Sequence, residues 1–247
     1  MLWSSETLRG CSIRATDHPL GSVHDILVDD EAWTVRYLVV DTAWLFGRRV
    51  LLTPATLGRP NADAREFPVS LSSDQVKRSP EIDTDKPVSL QHEIELHSHY
   101  GWSPYWSEPV VTPAILGEGT GLIPQPMPGA VGTETQGDRH LRSAHEMKGY
   151  DIHASDGDIG HVDDFLVEDN GWRVRYLVVD TRRWLPGKKV LLSPQWITRI
   201  EWSEQAITLD LPRDRIESSP EYRDGAPIDR SYEETLYGWY GRPRYWE

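Results

Sequence analysis

The sequence predicts an all-β fold with short helices, made of two small β-barrels that arose by internal duplication and are each closed by a short C-terminal helix. The first observation behind this prediction is a repeat, because the eight residues Val35–Thr42 recur unchanged as Val174–Thr181. The second is the alternation of apolar and polar residues in short runs separated by turn residues, which is typical of strands. Many short strands in a small unit favour a closed or nearly closed barrel, since closure leaves no exposed sheet edge.

The repeat extends far beyond the shared strand. Identical residues stand 139 or 140 positions apart along most of each copy, among them Gly21 and Gly160, Asp25 and Asp164, Trp33 and Trp172, Pro54 and Pro194, and Ser79 and Ser219. Each copy spans about 100 residues, which is the size of an independently folding domain. We therefore divide the chain into repeat 1 with an aromatic tail (residues 1–106), a Pro- and Gly-rich linker (107–139) and repeat 2 with an aromatic tail (140–247).

Both repeats carry the strand signals in the same order. The predicted strands are Val23–Val28, Val35–Thr42, Val50–Leu52 and Glu66–Leu71 in repeat 1, and Val162–Val167, Val174–Thr181, Val190–Leu192 and Ala206–Leu211 in repeat 2. Asp30–Ala32 and Asn170–Gly171 are predicted to be hairpin turns. Strand alternation is lost after Ser219–Pro220, and Ser231 followed by acidic residues predicts the start of a short helix.

The shared strand is apolar on both faces. Alternation assigns Trp33, Val35, Tyr37 and Val39 to one face, and Leu38 and Val40 to the other. A strand of this kind is covered on both sides. We expect the sister repeat and the aromatic tails to cover the face that is turned away from the barrel interior, so that the repeats form an intramolecular pseudo-dimer. Further association into a homo-oligomer stays open.

Charge and cysteine content narrow the function classes. The net charge is −13, which disfavours a nucleic-acid partner because such affinity comes largely from Lys and Arg. Cys11 is the single cysteine, so no intrachain disulfide is possible and a cytoplasmic location is expected. The first residues lack the pattern of a secretory signal, and no apolar run approaches the ~18 residues that a membrane span needs.

Three motifs occur in both copies in the same order: Gly-x-Val/Ile-x-Asp, then Trp-x-Val-Arg-Tyr-Leu-Val-Val-Asp, then Gly-Arg/Lys-x-Val-Leu-Leu-x-Pro. This order resembles the PRC-barrel domain over Ser5–Val76 and Ala144–Ile216. The family includes the cytoplasmic domain of the photosynthetic reaction-centre H subunit and the C-terminal barrel of ribosome-maturation factors. The resemblance implies a barrel that binds protein and is not itself a catalyst. The chain departs from the first example in having no membrane anchor, and from the second in lacking its companion N-terminal domain.

A histidine-rich segment, His92–His99, is the strongest candidate for metal chemistry. Its histidines His92 and His97 stand five apart, whereas the zinc-protease pattern needs a spacing of four on one helical face. Repeat 2 has Tyr232, Tyr237 and Trp239 at the corresponding places, so the fold does not require imidazole there. His97 and His99 could still bind a metal together on an extended segment, but we expect no metal site.

The acidic turns and the possible nucleophiles do not indicate a metal site or a catalytic site more strongly than the histidine-rich segment does. Asp156–Asp158, Asp163–Asp164 and Asp29–Glu31 lack EF-hand spacing, and Asp and Gly are ordinary turn residues. Asp25 and Asp164 are expected to anchor backbone donors at turns or strand ends. Cys11 is replaced by Tyr150 in repeat 2, and no Gly-x-Ser-x-Gly elbow or phosphate-binding glycine loop is present. We therefore expect no catalytic residue and no cofactor.

The two aromatic tails are the remaining candidate site. Their rings define a possible interaction surface: Tyr100, Trp102, Tyr105, Trp106, Tyr237, Trp239, Tyr240, Tyr245 and Trp246. The favoured interpretation is that the tails fold back over a barrel or the sister repeat and bury these rings. The alternative is an exposed Tyr/Trp/Arg patch of the kind enriched at protein interfaces. A base-stacking platform is disfavoured by the net charge.

The leading functional hypothesis is a non-enzymatic protein–protein interaction or adaptor module whose protein partner the sequence does not identify. The alternative is an accessory protein like the reaction-centre H subunit, acting in electron transfer or proton uptake. A metal-dependent or small-ligand enzyme is the third hypothesis.

Overall fold

The computed structural model describes residues 1–42, 48–61, 64–80, 88, 90–103, 140–181 and 187–247. The predicted linker 107–139 and the tail residues Tyr105 and Trp106 lie outside these ranges. The strands are β1 Leu2–Ser4, β2 Ser12–Arg14, β3 Pro19–Asp29, β4 Thr34–Thr42, β5 Arg49–Leu52, β6 Glu66–Pro68, β7 Leu141–Ser143, β8 Asp151–Ala154, β9 Gly157–Glu168, β10 Val174–Asp180, β11 Lys189–Leu192, β12 Ile197–Glu201 and β13 Ala206–Leu209. The helices are α1 Ser5–Leu8, α2 Ser73–Lys77, α3 Leu90–Tyr100, α4 Ala144–Met147, α5 Arg213–Glu217 and α6 Arg230–Tyr240. The protein is therefore mostly β with short helices, as predicted.

The strands form two sheets, and each sheet is built mainly from the strands of one repeat. The pairing order is β5-β4-β3-β2-β6 in the first sheet and β11-β10-β9-β8-β13-β12 in the second. The predicted hairpins are confirmed, because β3 pairs antiparallel with β4 and β9 with β10. The prediction of closed barrels is wrong: over the ranges that the structure describes, each pairing order has two free ends, and both sheets are open.

Each repeat gives its first strand to the sheet of the other repeat. Strand β1 pairs with the C-terminal half of β9, and β7 pairs with the C-terminal half of β3. The N-terminal halves of β3 and β9 pair within their own repeats, with β2 and β8. Each long strand therefore pairs first with a strand of its own repeat and then with a strand of the other repeat. The sequence did not predict this exchange.

Two aspartates hold the exchanged segments in place. Asp164 Oδ1 accepts hydrogen bonds from the Ser5 hydroxyl and from the Glu6 backbone N–H at 3.3 Å. In the same way, Asp25 accepts from the Ser143 hydroxyl and from the His145 N–H at 3.3 Å. The first N–H groups of a helix have no partner inside the helix, so these carboxylates satisfy donors that would otherwise stay unpaired. Asp25 and Asp164 anchor backbone donors as predicted, but these donors are not at turns or strand ends. They are at a helix start of the opposite repeat and, within the same strand, the N–H groups of Ile26 and Phe165.

A bulge in the shared strand changes which face each residue occupies. Tyr37 lies opposite Leu27 and Val35 lies opposite Val28, so Arg36 is an extra residue in β4. As a result, Val35 packs in the main core, whereas Tyr37 packs in a smaller cluster on the other side of the sheet. The alternation that placed Val35 and Tyr37 on one face was therefore wrong.

The outer face of β4 is covered chiefly by helix α3 of its own repeat. Tyr37, Val39 and Leu51 form the smaller cluster with Leu96 of α3 and with Leu141 of β7. We expected the sister repeat to cover this face, but among the buried residues of this cluster it contributes Leu141 alone. That expectation is therefore wrong. Helix α3 supplies apolar surface to the strand through Leu96.

The repeats also share one hydrophobic core. The Trp33 ring of repeat 1 lies 6.4 Å from Phe165 of repeat 2, and Trp172 of repeat 2 lies 5.9 Å from Phe67 of repeat 1. The main core contains buried side chains from both repeats in a single cluster. Aromatic pairs at these separations add to the free energy gained by burying their area.

The shared strands meet only where they begin. The Val35 N–H donates to the Trp172 carbonyl at 2.8 Å, and the Val174 N–H donates to the Trp33 carbonyl at 2.8 Å. The predicted contact through the identical strands is thus confined to their first residues. No helix in the described part of the chain is long and apolar enough to cross a membrane.

Candidate functional site

Grooves run along the seam where the repeats meet, and one of about 650 Å³ lies between residues 57–60 of repeat 1 and residues 169–170 and Trp172 of repeat 2. Two further grooves are called the larger and the smaller groove below, and the larger of these two has a volume of about 480 Å³ and lies between the 30–33 turn of repeat 1 and strands β10 and β12 of repeat 2. The smaller groove, of about 380 Å³, lies between residues 171–172 of repeat 2 and the start of β4. Both volumes fall within the range of about 300–1,000 Å³ that is common for ligand pockets. Each groove therefore owes its walls to the way the two repeats interlock.

Arg175 lines the larger groove and is fixed by two contacts. It stands at the β10 bulge that corresponds to Arg36, and its Nε donates to Glu168 at 2.9 Å. Its guanidinium lies 4.0 Å from the ring centre of Tyr245, which is a favourable cation–π distance. The side chain is 17% exposed and cannot swing freely. Arg175 thus forms part of a rigid wall.

Glu233 of α6 joins the helix to the sheet beside this groove. It is 4% exposed and accepts hydrogen bonds from the Tyr176 and Tyr245 hydroxyls, each at 2.8 Å. Arg230 lies 2.9 Å from the same carboxylate. Burial and then the neighbouring Glu233 raise the pKa of Tyr245 to about 12, and burial raises the pKa of Tyr176 well above its usual value. Both phenols therefore keep their protons near neutral pH and act as hydrogen-bond donors.

The aromatic tail of repeat 2 folds back over the sheet. Tyr237 and Tyr240 are 1% and 6% exposed and belong to the main core, so neither ring is available at a surface. Tyr245 and Trp246 pack against that core and are partly buried. Trp239 is 37% exposed, and its indole N–H donates to the Arg215 carbonyl. This arrangement agrees with the fold-back interpretation. The N-cap of helix α6 lies two residues earlier than predicted, because Asp229 takes this role in place of Ser231.

The tail of repeat 1 is described as far as residue 103. Tyr100 stacks on Trp102 with ring centres 4.3 Å apart and planes inclined by 13°. Both rings pack against the cores and are partly buried. These two rings therefore also follow the fold-back interpretation, while Tyr105 and Trp106 lie beyond the described residues.

The histidines of α3 point to different partners. His97 Nε2 lies 2.8 Å from the Tyr37 hydroxyl, which donates to Glu93 at 2.7 Å. His99 Nε2 instead lies 3.0 Å from the Gln75 carbonyl. Burial lowers the pKa of His97, so that its neutral form is favoured. His97 and His99 do not converge on one position where a metal ion could bind.

A different group of possible metal ligands is formed by His161, Asp163 and Asp180, whose ligand atoms lie within 4.8 Å of one another. The pairing of β9 with β10 places His161 opposite Asp180, so no local sequence pattern indicated this group. The Lys189 ammonium lies 2.8 Å from Asp163 and also pairs with Asp224. This lysine already supplies positive charge beside the cluster.

We expect the purified full-length chain to carry no stoichiometric zinc or calcium. A structural site wants about four well-placed ligands, and Lys189 competes with a cation for Asp163. Elemental analysis by mass spectrometry measures this directly. About one ion per chain that is lost when His161, or His97 and His99 together, are changed to alanine would contradict the expectation.

The acidic turns act as turn and capping residues. Asp29 Oδ1 accepts from the backbone N–H groups of Glu31 and Ala32 at 3.0 and 2.8 Å, which closes the turn after β3. Asp156 Oδ1 accepts from the Arg213 N–H at 2.7 Å, at the start of α5. Their carboxylates are thus engaged with backbone donors, as the ordinary interpretation of such turns expects.

Sequence reasoning missed the residues that line the larger groove. Arg173 directly before β10, Arg175 in β10 and Arg199 in β12 line the groove opposite Asp30 and Glu31 of the other repeat. The repeated string contained Arg175, but nothing in a single repeat indicates which part of the sister repeat lies beside it. The interlocking of the two sheets creates the groove.

Comparison with known proteins gives one family. The PRC-barrel domain matches residues 140–216, which include β10 and β12 of the larger groove. No curated protein matches the chain.

Proposed function

We propose that the chain is a non-enzymatic protein-binding module made of two PRC-barrel-like repeats that arose by duplication. The match of residues 140–216 to the PRC-barrel domain supports this, since a protein-interaction role fits that domain. The resemblance of repeat 1 rests on its shared motifs and on strands that pair in the same order: β5-β4-β3-β2-β6 corresponds to β11-β10-β9-β8-β13.

The observation that carries the proposal is that one wall of the larger groove comes from the matched residues and the other from repeat 1. A partner that docks there contacts both repeats at once, and its binding therefore depends on the assembled chain. The groove has a fixed wall, because the phenol of Tyr245, which lines it, donates to the buried Glu233 at 2.8 Å. Groups held in this way suit recognition better than proton transfer at neutral pH.

We also propose a reducing, cytoplasmic compartment. Cys11 is the single cysteine and its thiol is buried and free. Stability of this chain therefore does not depend on an oxidising environment.

The docking face can be tested by crosslinking in the native cell. Gln195 is exposed and lines the larger groove, so a photo-reactive amino acid at this position is expected to capture a protein partner. The matched control carries the same group at Asp74 of α2, which is 71% exposed and is not a lining residue of the groove. Gel analysis of the crosslinked products is the measurement. Identical products at both positions, or none at Gln195, would reject the groove as a docking face.

A further inference from the structure

We propose that the larger groove binds an extended acidic peptide segment, which adds to β12 as a further strand and places a carboxylate beside Arg173 and Arg199. The inference rests on the proposed protein-binding function and specifies the chemistry of the partner at the same site.

Strand β12 is a free edge that faces the groove. It stands at the end of the pairing order, and over the described ranges its strand partner is β13 alone. Four consecutive residues of β12, numbers 197–200, line the groove. Successive side chains in a strand point to opposite faces, so a groove that touches four in a row runs along the backbone edge. An exposed backbone edge is a template for an added strand.

Residues 57–60 of repeat 1 line a groove at the corresponding place, but they do not form a regular strand edge there. Residues 57–61 make only the isolated bridges Leu57–Val69 and Asn61–Glu66 within the described residues. Pro60 stands where β12 has Ile200, and proline has no N–H to donate to a neighbouring strand. The two repeats are otherwise alike in strand order, so the regular edge of β12 is a property of repeat 2.

The repeat 1 wall of the groove has part of its negative charge compensated. Asp30 is 8% exposed at its side chain and lies 3.0 Å from Arg142 and 3.0 Å from His140. His140 also lies 3.5 Å from Glu31. The Asp30 carboxylate that a ligand meets in the groove therefore has a cationic partner in Arg142, while Glu31 has a histidine beside it.

The repeat 2 wall has cationic groups to offer. Arg173 is exposed, and its side chain has no ion pair within the part of the chain that the structure describes. Arg199 is 68% exposed and pairs with Glu201 on the solvent side of β12. Exposed pairs of this kind contribute little and can be exchanged for a ligand carboxylate. In a protein of net charge −13, this local arrangement favours an acidic segment over a basic one.

The first experiment uses the full-length chain and an N-acetylated hexapeptide that alternates valine and glutamate. We expect binding by calorimetry and slower amide hydrogen exchange over residues 197–201. Replacing glutamate by lysine is expected to weaken binding at least about tenfold through loss of the charge contacts. Methylating alternate peptide nitrogens should weaken it by at least about tenfold as well, because it removes the donors that pair with a strand edge.

The second experiment changes the protein. Arg173→Glu combined with Arg199→Glu is expected to weaken binding of the valine–glutamate peptide about tenfold or more. The same double variant should bind the valine–lysine peptide more tightly than the valine–glutamate peptide. Arg59→Glu, at the repeat 1 position that corresponds to Arg199, is the matched control and should leave binding unchanged. Circular dichroism of each variant checks that it is folded.

No binding at millimolar peptide, binding that N-methylation leaves unchanged, or protection located away from β12 would each overturn strand addition. The crosslinking at Gln195 separates this from failure of the docking function itself. If a protein is captured at Gln195 but the peptide cannot displace it, the groove is a docking face and addition of a strand to β12 is rejected. Absence of any captured protein rejects the docking function.

Discussion

Residues 140–247, produced as a separate chain, are expected to form a dimer in which each copy gives its Leu141–Ser143 strand to the other. In the full-length protein, β9 pairs with β1 of repeat 1, and this partner is absent from the isolated repeat. The corresponding strand of the isolated repeat is β7, which is released because its own partner, β3, is also absent. A second copy can restore the missing pairing when the two chains associate.

Monomeric repeat 2 should be markedly less stable than the full-length chain. It loses contacts with buried side chains of repeat 1, among them Trp3 and Leu8. Loss of a single large buried side chain costs about 2–5 kcal/mol, so the isolated monomer is expected to lose at least that much. Light scattering at increasing concentration and thermal unfolding measure the two effects. A monomer at high concentration with undiminished thermal stability would show that the interlocking of the repeats contributes nothing to folding.

Gly160→Ala is expected to destabilise the protein by more than about 4 kcal/mol, which is beyond most single substitutions. A Cβ at this position would overlap the backbone carbonyl oxygen of Asp180 on the neighbouring strand. This atom cannot move away without disturbing the pairing of β9 with β10, and the φ of +159° is rare for other residues. The same overlap occurs at Gly21 with the carbonyl of Asp41, so Gly21→Ala should have a similar effect.

Gly238→Ala is the control for this prediction. Gly238 lies inside α6, and a Cβ there would meet nothing within 4 Å. Alanine has the higher helix propensity, so this substitution should be neutral or stabilise by up to about 1 kcal/mol. Urea unfolding at 25 °C compares the three variants with the unchanged protein. An unaltered unfolding midpoint for Gly160→Ala would show that the two strands are not held this closely.

The repeat and its strands could be predicted from the sequence because both signals are local. The string Val35–Thr42 and its copy mark β4 and β10, and the turns after β3 and β9 connect hairpins as expected. The bulge at Arg36 could not be predicted, because an extra residue depends on the partner strand and reverses the alternation beyond it. The exchange of β1 and β7 was missed for a similar reason, since a three-residue strand carries almost no periodicity.

The candidate site could be predicted only in part. The density of Tyr and Trp residues indicated that the tails fold back, and Tyr237 and Tyr240 are buried accordingly. The groove beside Arg173 and β12 depends on how the repeats interlock, and this is not encoded in any local pattern. Sequence reasoning therefore located the aromatic rings but not the surface that lies between the repeats.

The exchange of strands also determines the order in which the chain can fold during synthesis. Leu2 finds its pairing partner in Glu168, and the amino group of Met1 contacts Asp169, so the first residues wait until more than half of the chain has been made. The sheet of repeat 1 waits for Leu141–Ser143 in the same way. Contacts between residues so distant in sequence slow folding, because a long loop must close before they form. The two repeats consequently complete their folding together, as one cooperative unit.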